Sequence, residues 1–415
     1  MLSVMLLIMS VVMSLTLFYF IMTGFKPCKS ILAVFLFIRS YRSCKLMNTY
    51  FLEQLITTSN AMLTDNDPLA AANYPSQLTP CVLTIGNFDG VHLGHQAMLA
   101  QVRTIANESN LSSAVMIFEP QPREFFSPDT APARLTNLAE KQALLAEHGV
   151  ETLIVVSFDS DFRALSAKAF ADLLALQLNV QALVLGDDFR FGHDRIGDSQ
   201  FLRDYGLQVI NLHTVTDTNH NDSDHSAVAN DTAELNTAER ISSTRVRDLL
   251  LAGDINAANK LLGRDYTITG LVVSGDKIGR TLDFPTANID LARIKPALHG
   301  IFAVDVVALD DKGEVIADGL SQFATNGQSG VAGLQPHSLF GTASIGTRPS
   351  VDKPHEWRLE VHFPQLQADL YEQTLQVRFL HFLHGERHYN GLEALRAGIH
   401  NDVADLLVWR QQQLD

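Results

Sequence analysis

The sequence predicts an α/β protein: a doubly wound parallel sheet, then an antiparallel β barrel or sandwich, then one closing C-terminal helix. Three observations lead there. Apolar runs between residues 82 and 186 alternate with amphipathic helical patterns, as in a parallel sheet covered on both faces. Beyond Leu262 the pattern changes to short β-rich runs with no helix between them. Residues 391–413 then return to helical spacing.

The elements follow in order. "VLTIG" (82–86), "AVMIF" (114–118), "TLIVVSF" (152–158) and "ALVLG" (182–186) read as buried strands. "HQAMLAQVRTIA" (95–106), "LTNLAEKQALLAEHG" (135–149) and "SAKAFADLLALQL" (166–178) read as the helices that separate them. A further helix is expected from about Ile241. The strands of the second half are "YTITGLVVSGD" (266–276), "GIFAVDVVAL" (300–309), "GTASIG" (341–346), "WRLEVHF" (357–363) and "LQVRFLHFL" (375–383). Two stretches read as inserted loops: the polar 217–239, where His220 and His225 sit among Asn, Asp and Ser, and the Gly/Ser/Gln-rich 318–341.

Composition limits the function. At 415 residues, 46% hydrophobic and 19% charged, the chain is globular and long enough for two or three domains. The net charge of −15 argues against nucleic-acid binding, which needs a basic surface. Three cysteines without CxxC spacing indicate neither a disulfide framework nor a zinc site, so the expected location is cytoplasmic. Residues 1–25 carry no charge and are followed by basic residues, which fits a membrane anchor with the rest of the chain in the cytoplasm. The other reading places the true start at Met47, and the lack of a small-residue cleavage site favours it. The expected domains are an extension over 1–46, the parallel-sheet domain over 47–262 and the β domain over 263–415. Oligomeric state is left open.

The chemistry centres on "GNFDGVHLGH", Gly86 to His95, at the end of the first strand. In doubly wound folds ligands bind at the carboxyl ends of strands. Gly90 allows close backbone approach, and a helix starting near His92 offers N–H groups to a phosphate. His92 and His95 share one face of its first turn. Each of these residues alone is as well explained by a strand-to-helix turn; their combination points to a polyphosphate. "GDDFRFG" (186–192) follows another strand end, and "ISSTRVR" (241–247) opens a helix with Ser242, Ser243 and Thr244, suited to capping and to phosphate, beside Arg245 and Arg247. In the second half, "GDKIGRTLDFPTAN" (275–288) is loop-like, with Pro285 ahead of Thr286 and Asn288, whose hydroxyl and amide oxygens suit Mg²⁺ held with ATP. Neither a Walker loop nor GxGxxG occurs. Along "WRLEVHF" the apolar Trp357, Leu359, Val361 and Phe363 place Glu360 on the opposite face with Arg358 and His362. A carboxylate held there can accept a hydroxyl proton.

Together these motifs, in this order over residues 78–415, resemble the prokaryotic bifunctional riboflavin kinase/FMN adenylyltransferase (FAD synthetase) family. The resemblance implies a nucleotidyltransferase domain followed by a riboflavin kinase β barrel, and two reactions that use ATP and Mg²⁺: riboflavin to FMN, then FMN to FAD with release of pyrophosphate. By motif, Gly86, Asn87, Phe88, Asp89, Gly90, His92 and His95 hold ATP for adenylyl transfer, with Asp188 and Arg190. Ser242, Ser243, Thr244 and Arg247 close on its phosphates. In the kinase, Gly275, Lys277, Gly279, Thr286 and Asn288 serve ATP, with Thr286 and Asn288 on the metal, and Glu360 is the base on the ribityl 5′-hydroxyl. "HGIFAV" and "IGTRPS" imply flavin contacts at His299, Gly300, Ile301, Phe302 and Arg348. One departure concerns the site: Asp283 stands where the family usually has glycine before "FPTAN". Two rival functions follow, an FMN adenylyltransferase with an inactive flavin-binding barrel and a non-catalytic flavin- or nucleotide-sensing protein. Thr286, Asn288 and Glu360 argue against both, since a binding module has no need of a base.

Overall fold

In the computed structural model, the residues described are 47–55, 78–213, 215–216, 239–275, 286–317, 319–320, 337–348, 356–364 and 370–413. The apolar runs of the first half form the strands β2 (Cys81–Ile85), β3 (Ser112–Glu119), β4 (Thr152–Ser157) and β5 (Val180–Gly186). Two strands not read from the sequence complete the sheet, β1 (Asn48–Phe51) and β6 (Gln208–Leu212). The order is β1-β4-β3-β2-β5-β6, and every pairing is parallel. From β2 the chain winds outward on one side through β3 and β4, and on the other through β5 and β6. The switch point therefore lies between the carboxyl ends of β2 and β5, where a ligand crevice forms.

The longer helices of this half are α1 (Leu93–Ser109), α2 (Leu138–Glu147), α3 (Ser243–Leu251) and α4 (Ile255–Leu262). The helix expected over 166–178 is regular only over Ala167–Asp172 and widens to a π-helical turn over Leu173–Gln177. Helix starts obey cap chemistry. His92 caps α1, Ser242 caps α3 with its hydroxyl accepting from the Arg245 N–H, and Asn137 forms a capping box with Glu140 at α2. The base of the 217–239 insertion is pinned by a bridge between Thr216 and Arg240.

The second half is a closed barrel, β10-β11-β8-β7-β12-β9. It uses β7 (Thr267–Val273), β8 (Thr286–Ile289), β9 (Gly300–Leu309), β10 (Leu339–Arg348), β11 (Glu356–His362) and β12 (Thr374–His384), all paired antiparallel, with α5 (Leu392–Gln412) against β10 and β12. Two expectations need correction. Thr286 to Asn288, read as loop, belong to β8, because pairing with β11 supplies the partners that local composition does not. The last three residues of the expected 318–341 loop, Leu339 to Gly341, belong to β10.

Alternate residues of each strand fill the barrel with Ile268, Leu359, Val361, Ala287, Ile289, Ala343, Ile345, Val304 and Val377. Val246, Leu250, Ala258, Leu261 and Leu262, from α3 and α4, lie in the same core cluster. The sequence boundary at residues 262 and 263 thus falls within a shared core. No helix among the described residues is long and apolar enough to cross a membrane, and residues 1–25 lie outside the described part.

Candidate active site

Two sites emerge, one on each sheet. The first occupies the β2–β5 switch point. After Ile85 the chain turns through Phe88 (φ 47°), Gly90 (φ 80°) and Val91 (φ 40°), three left-handed residues in four positions. For a β-branched valine this is strained backbone, held by its surroundings. At Gly90 a Cβ would lie 2.6 Å from Leu135 Cδ1, so only glycine fits.

The turn is clamped by Asp89. Its buried carboxylate accepts the N–H groups of Leu135 and Thr136 at 3.0–3.1 Å and a guanidinium N–H of Arg247 at 2.5 Å. Arg247 Nε donates to the Ala133 carbonyl, and Ser243 Oγ donates to the Asp89 carbonyl at 2.8 Å. Asp89, Ser243 and most of Arg247 therefore tie α3 to the loop. Thr244 is exposed at the first turn of α3.

His92 and His95 follow on α1 with their rings stacked, centroids 3.8 Å apart, and Phe88 4.8 Å from His95. His92 Nδ1 accepts the His95 N–H, which leaves its ring proton on Nε2. Burial pushes His92 down to about 4 and His95 well below 6.5, so both rings are neutral at pH 7. Neutral imidazoles can each donate one hydrogen bond to a phosphate. Across the crevice, Asp188 and Arg190 follow β5 and are exposed; Arg240 lies 3.6 Å from Asp188, and Asp198 lies 3.6 Å from Arg190. Gly86 and Asn87 begin the turn at the end of β2.

The second site lies on the outer wall of the barrel. In the registers, Val273 (β7) is opposite Asn288 (β8), Asn288 opposite Glu360 (β11), Glu360 opposite Ser344 (β10), and Ser344 opposite Ile301 (β9). Residues directly opposite in antiparallel pairs share a face. Thr286, two residues before Asn288, shares it too, opposite His362. The expected hydroxyl, amide and carboxylate are thereby gathered on one patch of wall, which matches the expected alternation along β11. Gly275 packs on this patch so closely that a Cβ would lie 2.3 Å from Asn288 Nδ2. Gly275, Asn288, Arg358 and Arg293 line an adjoining cavity of about 470 Å³.

The flavin residues divide. Gly300 and Ile301 begin β9, with Ile301 on the Glu360 face. Phe302 points the other way, fully buried against Phe379 and Phe382, and acts in packing. His299 pairs with Glu386 at 2.9 Å and meets Trp357 edge-on. Arg348 ends β10, and its side chain is outside the described part, as are Lys277, Gly279 and Asp283.

Comparison with known proteins gives a family match for each half of the chain. Residues 74–229 match the family model described as FAD synthetase, and residues 262–409 the model described as riboflavin kinase. A bifunctional riboflavin kinase/FMN adenylyltransferase of Pseudomonas fluorescens is 41% identical over 78% of this chain and 91% of its own length. That of Escherichia coli K12 is 39% identical over 78% of this chain and 90% of its own. A crystal structure from Streptococcus pneumoniae, described as a macrolide-efflux protein, superposes with a TM-score of 0.55 and 26% identity, covering 80% of this chain and 94% of that one.

Proposed function

The chain belongs to the bifunctional riboflavin kinase/FMN adenylyltransferase family, and from that premise we propose how its residues divide the labour. The enzyme phosphorylates riboflavin to FMN with ATP and adenylylates FMN with a second ATP to give FAD and pyrophosphate. Residues 263–415 are assigned the first reaction and residues 47–262 the second. What carries this reading is the presence of two unlike sites on two sheets, a histidine-lined turn at a switch point and a carboxylate facing an amide on a barrel wall.

In the kinase step Glu360 accepts the proton of the ribityl 5′-hydroxyl as that oxygen attacks the γ-phosphorus of ATP, and ADP leaves. Thr286 and Asn288 carry hard oxygen donors on one face beside Glu360, a set that fits Mg²⁺. Bound there, Mg²⁺ would supply neutralising charge for the ATP phosphates. Ile301, on the same face, supplies apolar surface for the flavin.

In the adenylyl step an FMN phosphate oxygen attacks the α-phosphorus and pyrophosphate departs. His92 and His95 need move no proton; their N–H groups orient the chain of phosphates and stabilise the charge gathering on it. Arg247 has two nitrogens committed to Asp89 and Ala133, which leaves Nη1 for a phosphate.

The test is direct. Purified chain incubated with riboflavin, ATP and Mg²⁺ is expected to form FMN and then FAD, followed by chromatography. No FMN would remove the kinase assignment, and no FAD from supplied FMN the adenylyltransferase assignment.

A further inference from the structure

Lys141 lies on α2 on the same buried stripe as Leu145, completely closed off from solvent. Its ammonium has no hydrogen-bond partner among the described residues. Asp89, Glu119, Glu124 and Arg134 face it. Asp89 is already bonded to Arg247 and Glu124 to Arg134, and Glu119 gives one oxygen to Arg134 while its other, also buried, makes no hydrogen bond among the described residues, to Lys141 or to any other group. A buried cation with no bonded counter-ion is costly, so its presence under the phosphate turn calls for a function.

His95 is the group it acts upon. The charged and titratable groups facing that ring are His92, Lys141 and Arg247, and all three disfavour a second positive charge on it. The ring is partly exposed while its Nδ1 is buried and has no partner among the described residues. Nδ1 is thus the inward nitrogen and Nε2 the outward one. Near an interior ammonium, a lone pair at Nδ1 is favoured over an N–H.

We propose that Lys141 is a positioning residue for adenylyl transfer: its buried, unpartnered ammonium and the buried, unpartnered Nδ1 of His95 favour the imidazole form with its proton on Nε2, facing the phosphates. The proposal rests on the adenylyl-transfer reading above. It explains how the site applies positive potential when both histidines are neutral and Arg247 is matched by Asp89. The ammonium polarises the imidazole, and the outward N–H becomes a stronger donor where charge gathers on departing pyrophosphate.

The experiment pairs Lys141→Met and Lys141→Arg in the full chain. With Met, FAD formation from FMN is expected to fall about 10–100-fold, the scale seen when a group supporting a metal-ligating histidine is lost. Riboflavin phosphorylation should persist. In ¹⁵N NMR the wild-type His95 should appear as the Nε2–H tautomer and resist protonation, whereas the Met variant should titrate at higher pH; Arg, which keeps the charge, should restore both. Slower FAD formation with an unchanged His95 titration would mean Lys141 only packs, and an unchanged rate would equally overturn the proposal. Should the Met variant fail to fold, the wild-type spectrum decides alone, since an Nδ1–H tautomer contradicts the proposal. Failure of the reading beneath it looks different: wild-type chain that makes no FAD from FMN at all.

Discussion

At the scale of single residues, Glu360 and the histidine pair separate the two activities. Glu360 faces Asn288 and Ser344 across its neighbouring strands and lies on the opposite sheet from the phosphate turn. Glu360→Gln keeps the shape and removes the proton acceptor. It is therefore expected to abolish FMN formation from riboflavin while FAD formation from supplied FMN continues; loss of both in a folded variant would contradict the assignment. The histidines make a second prediction, about stability. A free imidazole titrates near 6.5, but folded His92 holds out to about 4. Between those values the unfolded chain binds a proton that the folded one refuses. Stability therefore falls as pH drops through that window, by about 3 kcal/mol in all, and is unaffected by this group above it. Melting temperatures between pH 7 and 4.5 should show the slope, and His92→Asn, which still caps α1, should reduce it, the remainder coming from His95, which burial also holds well below 6.5.

At the scale of elements, what could be read in the sequence was what local pattern alone determines. The buried runs of β2 to β5 announce themselves by continuous apolarity, and the turn after β2 by glycine and histidine spacing. β8 escaped because its four residues follow a glycine- and proline-bearing stretch, and only pairing with β11, some 70 residues on, makes them a strand. The clamping role of Asp89 was not legible because its partners Leu135, Thr136 and Arg247 are 46 to 158 residues away. Lys141 was missed for the opposite reason: lysine in an amphipathic helix normally marks the wet face. Its signal was there, four residues before Leu145 on the apolar stripe. The β8 pairing also yields a prediction. Because a Cβ at position 275 would press on the Asn288 amide at 2.3 Å, Gly275→Ala should displace that amide. Steady-state kinetics should show riboflavin phosphorylation impaired, with a raised KM for ATP, while FMN adenylylation is unchanged; an unaltered kinase would show that Asn288 does not serve the nucleotide.

At the scale of the whole molecule, the two halves meet through buried charge as well as the shared apolar core. Glu140, the capping-box residue of α2, accepts from Arg293 at 2.7 Å through both oxygens and from the Thr269 N–H of β7. Arg293 is fully buried, also donates to the Leu135 carbonyl, and lines the cavity beside Asn288. Leu135 in turn gives its N–H to Asp89. The wall of one site and the clamp of the other are thus joined through this ion pair, alongside the Tyr266 hydroxyl on the Leu135 carbonyl and the Arg134–Pro296 bridge. Removing one partner of such a pair costs about 3–5 kcal/mol, because the remaining charge stays buried without its counter-ion, whereas replacing both with apolar groups often costs little. Glu140→Ala is accordingly expected to lower the melting temperature sharply and to raise KM in both reactions. Glu140→Leu combined with Arg293→Met should recover much of the stability in a thermal scan, by the non-additivity of a contacting pair. Recovery of stability without recovery of the two KM values would show that the ion pair positions the sites as well as joining the halves. Full recovery of both would show that it serves only as a joint.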